Sequence, residues 1–254
     1  MRRALPVACL LAALAFAGCG DGGTAIPKGN PDTRHGPQAV DSYAQVEFLR
    51  ALLIASSDSY YAGGSADDAR AQLNRAKTGY DSLAGRVRAA DPVVDREVSA
   101  RFAAASKAIR EGTAPDHYRD LVGPLADQLM DGVSQALVPA SARTDAGVQA
   151  VALSRVALRM SATYDASTAS AGDTPGRLAF EEAWGLWRRA QALDVLLATE
   201  LGSKKSRVAS ALNNLRGPAF PNGPIAPDAP AAPKVDAAST KVIQTLNDRF
   251  RLAL

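Results

Sequence analysis

Residues 65–90, SADDARAQLNRAKTGYDSLAGRVRAA, place apolar or small side chains at Ala69, Leu73, Ala76, Tyr80, Leu83 and Val87. The spacings alternate between four and three, which is one face of an α-helix and fits no strand. Ser65 supplies the N-cap, with Asp68 three positions on as a shortened capping box. A second face of the same kind runs through Phe180, Ala183, Trp187, Ala190 and Leu193. The remainder reads as helices arranged around these two.

Working outward, Asp41 is the expected cap of a first helix carrying Val46, Leu49, Leu53 and Tyr60, which Gly63-Gly64 ends. On the other side Asp91 is a good N-cap and Pro92 fits the first helical position. The third helix turns Val94, Val98, Phe102, Ala105 and Ile109 inward and stops at Gly112. A fourth starts near Pro115 with Tyr118, Val122, Leu125, Leu129 and Val133 inward, must kink at Gly123-Pro124, and closes at Pro139. Thr144 caps a fifth through Leu153, Val156, Met160 and Tyr164. After a loop around Gly172, Thr174-Pro175 open a sixth that ends near Gly202, and a short seventh covers 206–216.

The two halves read as relatives. Tyr60 corresponds to Tyr164, Tyr80 to Trp187, and Arg110-Glu111-Gly112 to Leu215-Arg216-Gly217. Internal duplication accounts for this; two ordinary amphipathic hairpins are the simpler alternative. Beyond Gly217, Pro218, Pro221, Pro224, Pro227, Pro230 and Pro233 recur at every third residue, the period of a polyproline II helix. Residues 218–234 are expected to form a stiff strap, the alternative being a ligand for an aromatic-lined groove. Asp236 then caps a last helix with Ile243, Leu246, Phe250 and Ala253 on one face. The expected fold is all-α: a bundle of about seven helices in two similar halves over 41–217, a polyproline strap at 218–234 and a C-terminal helix at 235–254.

Met1-Arg2-Arg3 and an apolar run over 4–17 have the form of a secretory signal, too short to span a membrane. Phe16-Ala17-Gly18-Cys19 resembles a bacterial lipobox with Phe16 where leucine is usual, so residues 1–18 are expected to be removed and Cys19 acylated. An ordinary signal peptide is the alternative. Cys9 would leave with the signal, and Cys19, the one cysteine then left, has acylation as its reason. The expected location is the extracytoplasmic side of a membrane of the cell envelope, with the lipid anchor as the membrane contact. Residues 19–40, rich in Gly, Pro, Asn and Asp, are expected to be a flexible tether. The full chain has 29 Lys and Arg against 26 Asp and Glu, and loss of Arg2 and Arg3 brings it close to neutral. That balance offers no argument for nucleic acid.

The sequence carries no phosphate-binding glycine loop, no Gly-x-Ser-x-Gly, no His-Glu-x-x-His, and no glutamate with a histidine three residues on. Of two histidines, His35 falls in the tether and is expected to be solvated. His117 shares a helical face with Asp120, a pair that could offer a metal two ligands; the plainer reading is two acids favouring a helix start beside an exposed imidazole. Glu181 and Glu182 precede Trp184 and Trp187, and Asp81 follows Tyr80. Carboxylates beside aromatics can hold a cation, and equally mark the edge where a core stripe meets water. The two tryptophans read as core. No nucleophile can be matched with a base, so a non-catalytic protein is expected.

The run Tyr61-Ala62-Gly63-Gly64, Ala69, Ala76, Tyr80-Asp81, Arg86-Val87-Arg88-Ala89-Ala90-Asp91-Pro92 and Arg96-Glu97-Val98 to Phe102 resembles the extracytoplasmic helical region of some bacterial high-affinity iron permeases. The resemblance covers 61–112. It implies an iron-linked envelope module with a transporter or other envelope protein as partner, holding iron or another cation at Asp81 and Glu97, with Glu181 and Glu182 as the added carboxylates. The permease's Arg-Glu-x-x-Glu motif and its membrane spans are absent, so this chain would not itself transport, and Ala84 stands where a second acid would follow Asp81. The expected function is therefore a lipid-anchored accessory or binding protein linked to iron uptake. The alternative is a protein–protein interaction lipoprotein without a metal.

Overall fold

A computed structural model describes residues 30–170, 173–226 and 235–252. These residues are all-helical, with no strand among them. The signal at 1–18, Cys19, Pro227, Pro230, Pro233 and Ala253 lie outside the described residues. Nine helices of eight residues or more are present among those described: α1 Pro37–Tyr61, α2 Ala66–Ala90, α3 Pro92–Arg110, α4 Pro115–Pro124, α5 Met130–Leu137, α6 Ala146–Ala169, α7 Thr174–Leu201, α8 Lys205–Asn213 and α9 Val235–Phe250. The expected fourth helix is two, because Pro124 has no N–H to continue the ladder and a π-helical turn, Leu125–Leu129, joins α4 to α5.

The stretch 65–90 folds as its spacing requires. Ser65 Oγ accepts the Asp68 N–H at 2.9 Å, and all six predicted positions from Ala69 to Val87 are buried. Tyr80 lies at the middle of this face and donates to Asp95 of α3 at 2.8 Å. Asp91 accepts from the Val93 and Val94 amides at 3.0 and 3.1 Å, which turns the chain from α2 into α3 with one residue.

Five expectations are corrected. The tether does not reach residue 40: a short helix, Pro31–His35, is followed by Gly36 at φ 79° and then by α1, whose Ala39 and Val40 are already in the core. Asp41 is an exposed position inside α1, paired with Arg155 at 2.6 Å. Asp145, one residue after Thr144, caps α6 by accepting from the Gly147 and Val148 amides at 2.7 and 3.3 Å. Asp236 sits inside the first turn of α9 and accepts from Ser161 Oγ at 3.3 Å. Finally, 218–224 is not polyproline II, which carries no internal hydrogen bonds. Pro218 belongs to a helical turn, Arg216–Ala219, and the Ala219, Phe220 and Gly223 amides donate to Leu215, Arg216 and Phe220 carbonyls at 2.9 to 3.1 Å.

The packing centre also moves. Helix α1 has buried residues on every side and touches α2, α4, α5, α6 and α7, so it is the axis of the molecule. Val46, Leu49 and Leu53 of α1 join α2 to α5 in one core, with Leu73, Tyr80, Phe102 and Tyr118. Val40, Ala44 and Ala51 of α1 join α6 to α9 in the other, with Leu153, Trp187, Leu246 and Phe250. Phe220 closes the second core, 5.4 to 5.7 Å from the rings of Tyr164, Phe180, Trp184 and Trp187. Close approach of α7 to α1 needs Gly185: a Cβ there would stand 2.0 Å from the Ala51 carbonyl oxygen.

Candidate functional site

A groove of about 580 Å³ opens where α1 and α2 diverge, closed at one end by α6 and α7. Its apolar wall comes from α1, where Phe48, Leu49 and Leu52 follow one another at helical spacing. Gly79 on α2 faces that wall; a Cβ there would meet Leu49 Cδ2 at 2.6 Å. The outer rim is polar and exposed, with Gln45, Asn74, Thr78 and Ser82.

The closed end is built on Glu182, only 6% exposed. Arg75 of α2 donates to its Oε2 at 2.9 Å, and Arg159 of α6 donates to Oε1 from Nε at 2.8 Å, with its Nη2 2.7 Å from the same oxygen as an ion pair. The guanidinium of Arg159 also lies 5.0 Å from the Phe48 ring. Two half-exposed cations thus share one buried anion, leaving a net positive charge beside an apolar wall. Arginine suits this role because its planar fork can bond a carboxylate on one edge and offer donors on another.

Glu181, the neighbouring residue, faces the opposite way and is 4% exposed. Ser59 Oγ donates to its Oε1 at 2.5 Å, while Oε2 has no partner. Burial pushes its carboxyl up to about 7 against the opposing bond from Ser59. Gln72 stands beside it with Nε2 committed to the Leu178 carbonyl at 2.6 Å and Oε1 unpartnered.

The sequence-predicted ligands are dispersed. Asp81 is exposed and paired with Lys77 at 2.7 Å; Glu97 is exposed on α3. His117 and Asp120 are both exposed near the start of α4. Among the described residues no three of His, Cys, Asp and Glu gather as a metal would need, so Asp81, Glu97, Glu181 and Glu182 do not make one site. His35 is not free in solvent: its Nε2 lies 2.8 Å from Asp145, which also accepts from Arg34 at 3.0 Å. Burial alone would raise the Asp145 carboxyl, but the bonds from His35, Arg34 and the Gly147 amide outweigh it and hold it below the usual range. Trp184 and Trp187 are core, with their indole N–H groups on Asp58 at 2.9 Å and the Leu212 carbonyl at 2.8 Å.

Arg75, Arg159 and Phe48 escape a sequence reading because each, taken singly, is an ordinary residue on a helix surface. Glu181 and Glu182 are legible only as a pair of carboxylates beside the aromatic stripe of α7.

No family model, no curated protein and no solved structure matches the chain. No helix of the described residues is long and apolar enough to cross a membrane.

Proposed function

We propose that the protein is a non-catalytic binding protein of the cell envelope, anchored by acylation at Cys19, and that the groove between α1 and α2 is where it binds. The observation that carries this is the Arg75–Glu182–Arg159 arrangement: fixed cations beside an apolar wall, in a cavity of the size small-molecule sites occupy. The anchor rests on Arg2-Arg3, the apolar run and the lipobox-like 16–19. A link to iron rests on the permease-like 61–112. With Asp81 and Glu97 exposed and apart from Glu181, that link would run through docking to a transporter rather than through a cation held by these four carboxylates.

Internal duplication belongs to the same proposal. Tyr60 donates to the Thr113 carbonyl at 3.0 Å, just past Arg110-Glu111-Gly112, and Tyr164 donates to the Ala219 carbonyl at 3.2 Å, just past Leu215-Arg216-Gly217. Two tyrosines matched by sequence thus tie down two matched turns. The alternative, a lipoprotein that binds another protein without a small ligand, draws on the exposed pair Val195 and Leu196 of α7.

Native mass spectrometry of the full chain extracted from a bacterial envelope tests the reading. A non-protein mass should accompany the wild type and be missing from Thr78→Trp, which fills the groove from its exposed rim. The same preparation should carry acyl mass that Cys19→Ser lacks. An identical bound mass in Thr78→Trp, or no bound mass in either, rejects the groove as the binding site.

A further inference from the structure

The charge and shape of the groove restrict what can fill it. After their bonds to Glu182, Arg75 retains Nε and Nη2, and Arg159 retains Nη1, with no acceptor among the described residues. The side chains are 47% and 45% exposed, yet each is fixed from behind by a carboxylate that is 7% exposed. Fixed guanidiniums lose little freedom when an oxyanion arrives, which is the condition for a preorganised receptor. A cation is repelled there. A neutral molecule leaves the free N–H groups without a partner, and a bare inorganic anion leaves the partly exposed Phe48 ring uncovered.

The Arg159–Phe48 contact places the cationic end directly against the apolar wall, so head and tail positions adjoin without a gap. Gly79 lets the Leu49 side chain pack directly against α2 at the base of the groove. The polar rim of Gln45, Asn74, Thr78 and Ser82 suits a guest that stays partly open to water along its length.

We infer that the groove holds a single-chain anionic amphiphile, with its carboxylate or phosphate on Arg75 and Arg159 and its alkyl chain along Phe48, Leu49 and Leu52. The inference rests on the proposal that the groove is a binding site and specifies its chemistry.

Calorimetric titration of the full chain carrying Cys19→Ser, which removes any acyl group of its own at that position, decides it. The probes are hexanoate, octanoate and decanoate, with decyl phosphate, decanol, decyltrimethylammonium and inorganic phosphate, each below its micellar concentration. Affinity should rise about two- to fourfold per added methylene, the upper figure being full burial. Decanol and decyltrimethylammonium should bind at least tenfold more weakly than decanoate, and so should inorganic phosphate. The ratio of decanoate to decyl phosphate tells which head is preferred.

Arg75→Gln and Arg159→Gln should each weaken decanoate at least fivefold while leaving decanol unchanged. Should either variant fail to fold by circular dichroism, Thr78→Trp decides alone by abolishing decanoate binding. Equal binding of decanol and decanoate, absence of chain-length dependence, or unaltered binding in Thr78→Trp overturns the inference. A native bound mass that Thr78→Trp removes, combined with no binding of any amphiphile, keeps the groove as a site and rejects this chemistry. No bound mass and no titration signal reject both.

Discussion

Glu181 and Glu182 are adjacent in sequence and opposite in circumstance. Glu182 meets two guanidiniums, whereas Glu181 has a serine, an unpartnered oxygen and a neighbouring amide oxygen with no donor. The sign of the resulting pH dependence follows from the direction of the shift. An ordinary glutamate near 4.5 is raised to about 7 here, so between those values the folded chain holds a proton that the unfolded chain releases. Stability contributed by the neutral acid is full below pH 4.5 and is lost as pH rises toward 7. Glu181→Gln keeps the neutral form at every pH. It should raise unfolding free energy by about 3 kcal/mol at pH 8 and by little at pH 4, read by urea denaturation. An equal gain at both values would show that ionisation is not the cause. Nothing in the sequence distinguishes the two glutamates, since a pair at i and i+1 points to two sides of a helix and only the packing says which side is dry.

At the scale of elements, legibility followed exposure. Helix α2 was readable to the residue because one face is buried and the other is wet, so its stripe stands out in Leu73, Tyr80 and Val87. Helix α1, with buried residues on every side, offers little contrast to read: Ser42, Glu47, Arg50, Ser56 and Ser59 are polar and are in fact inside. They are inside because they are partnered. Arg50 donates to the Ala126 and Asp127 carbonyls of the π-turn at 2.9 and 3.1 Å and to Asp131, while Glu47 receives Arg189 of α7. The break caused by Pro124 is thereby closed by a side chain from another helix. Proline spacing misled at 218–224 for a related reason, since Phe220 inserts among four rings and its burial outweighs the local preference for an extended chain. The tightest element contact offers a direct test. Gly185→Ala puts a methyl group against the Ala51 carbonyl rather than against a side chain that could move aside. It should cost about 3 kcal/mol, lowering the thermal midpoint, whereas Gly85→Ala, with open space around its Cα, should cost nothing and gain slightly in helix propensity.

For the whole molecule, two cores share one helix. Such a chain has the interior of two bundles and the cooperativity of one, because α1 cannot leave either core without leaving both. Native-state hydrogen exchange should therefore give amides at Ala44 and Leu53, one in each core, the same, slowest rate, with the denaturant dependence of global unfolding. A faster, separable opening of α6 to α9 that left Leu53 protected would show that the cores unfold independently. The fold class and most helix boundaries could be read from periodicity and caps. The groove could not, because Arg75, Arg159 and Glu182 come from three helices whose relative positions α1 determines.

The clasp at the start of the described chain carries a mechanical consequence. Arg34 and His35 grip Asp145, more than a hundred residues away, and Gly36 separates that grip from the first turn of α1. A load arriving from the N-terminal side is taken up by three side chains at the head of α6. The central helix, and the groove along it, stand behind that joint and are shielded from tension until it gives way.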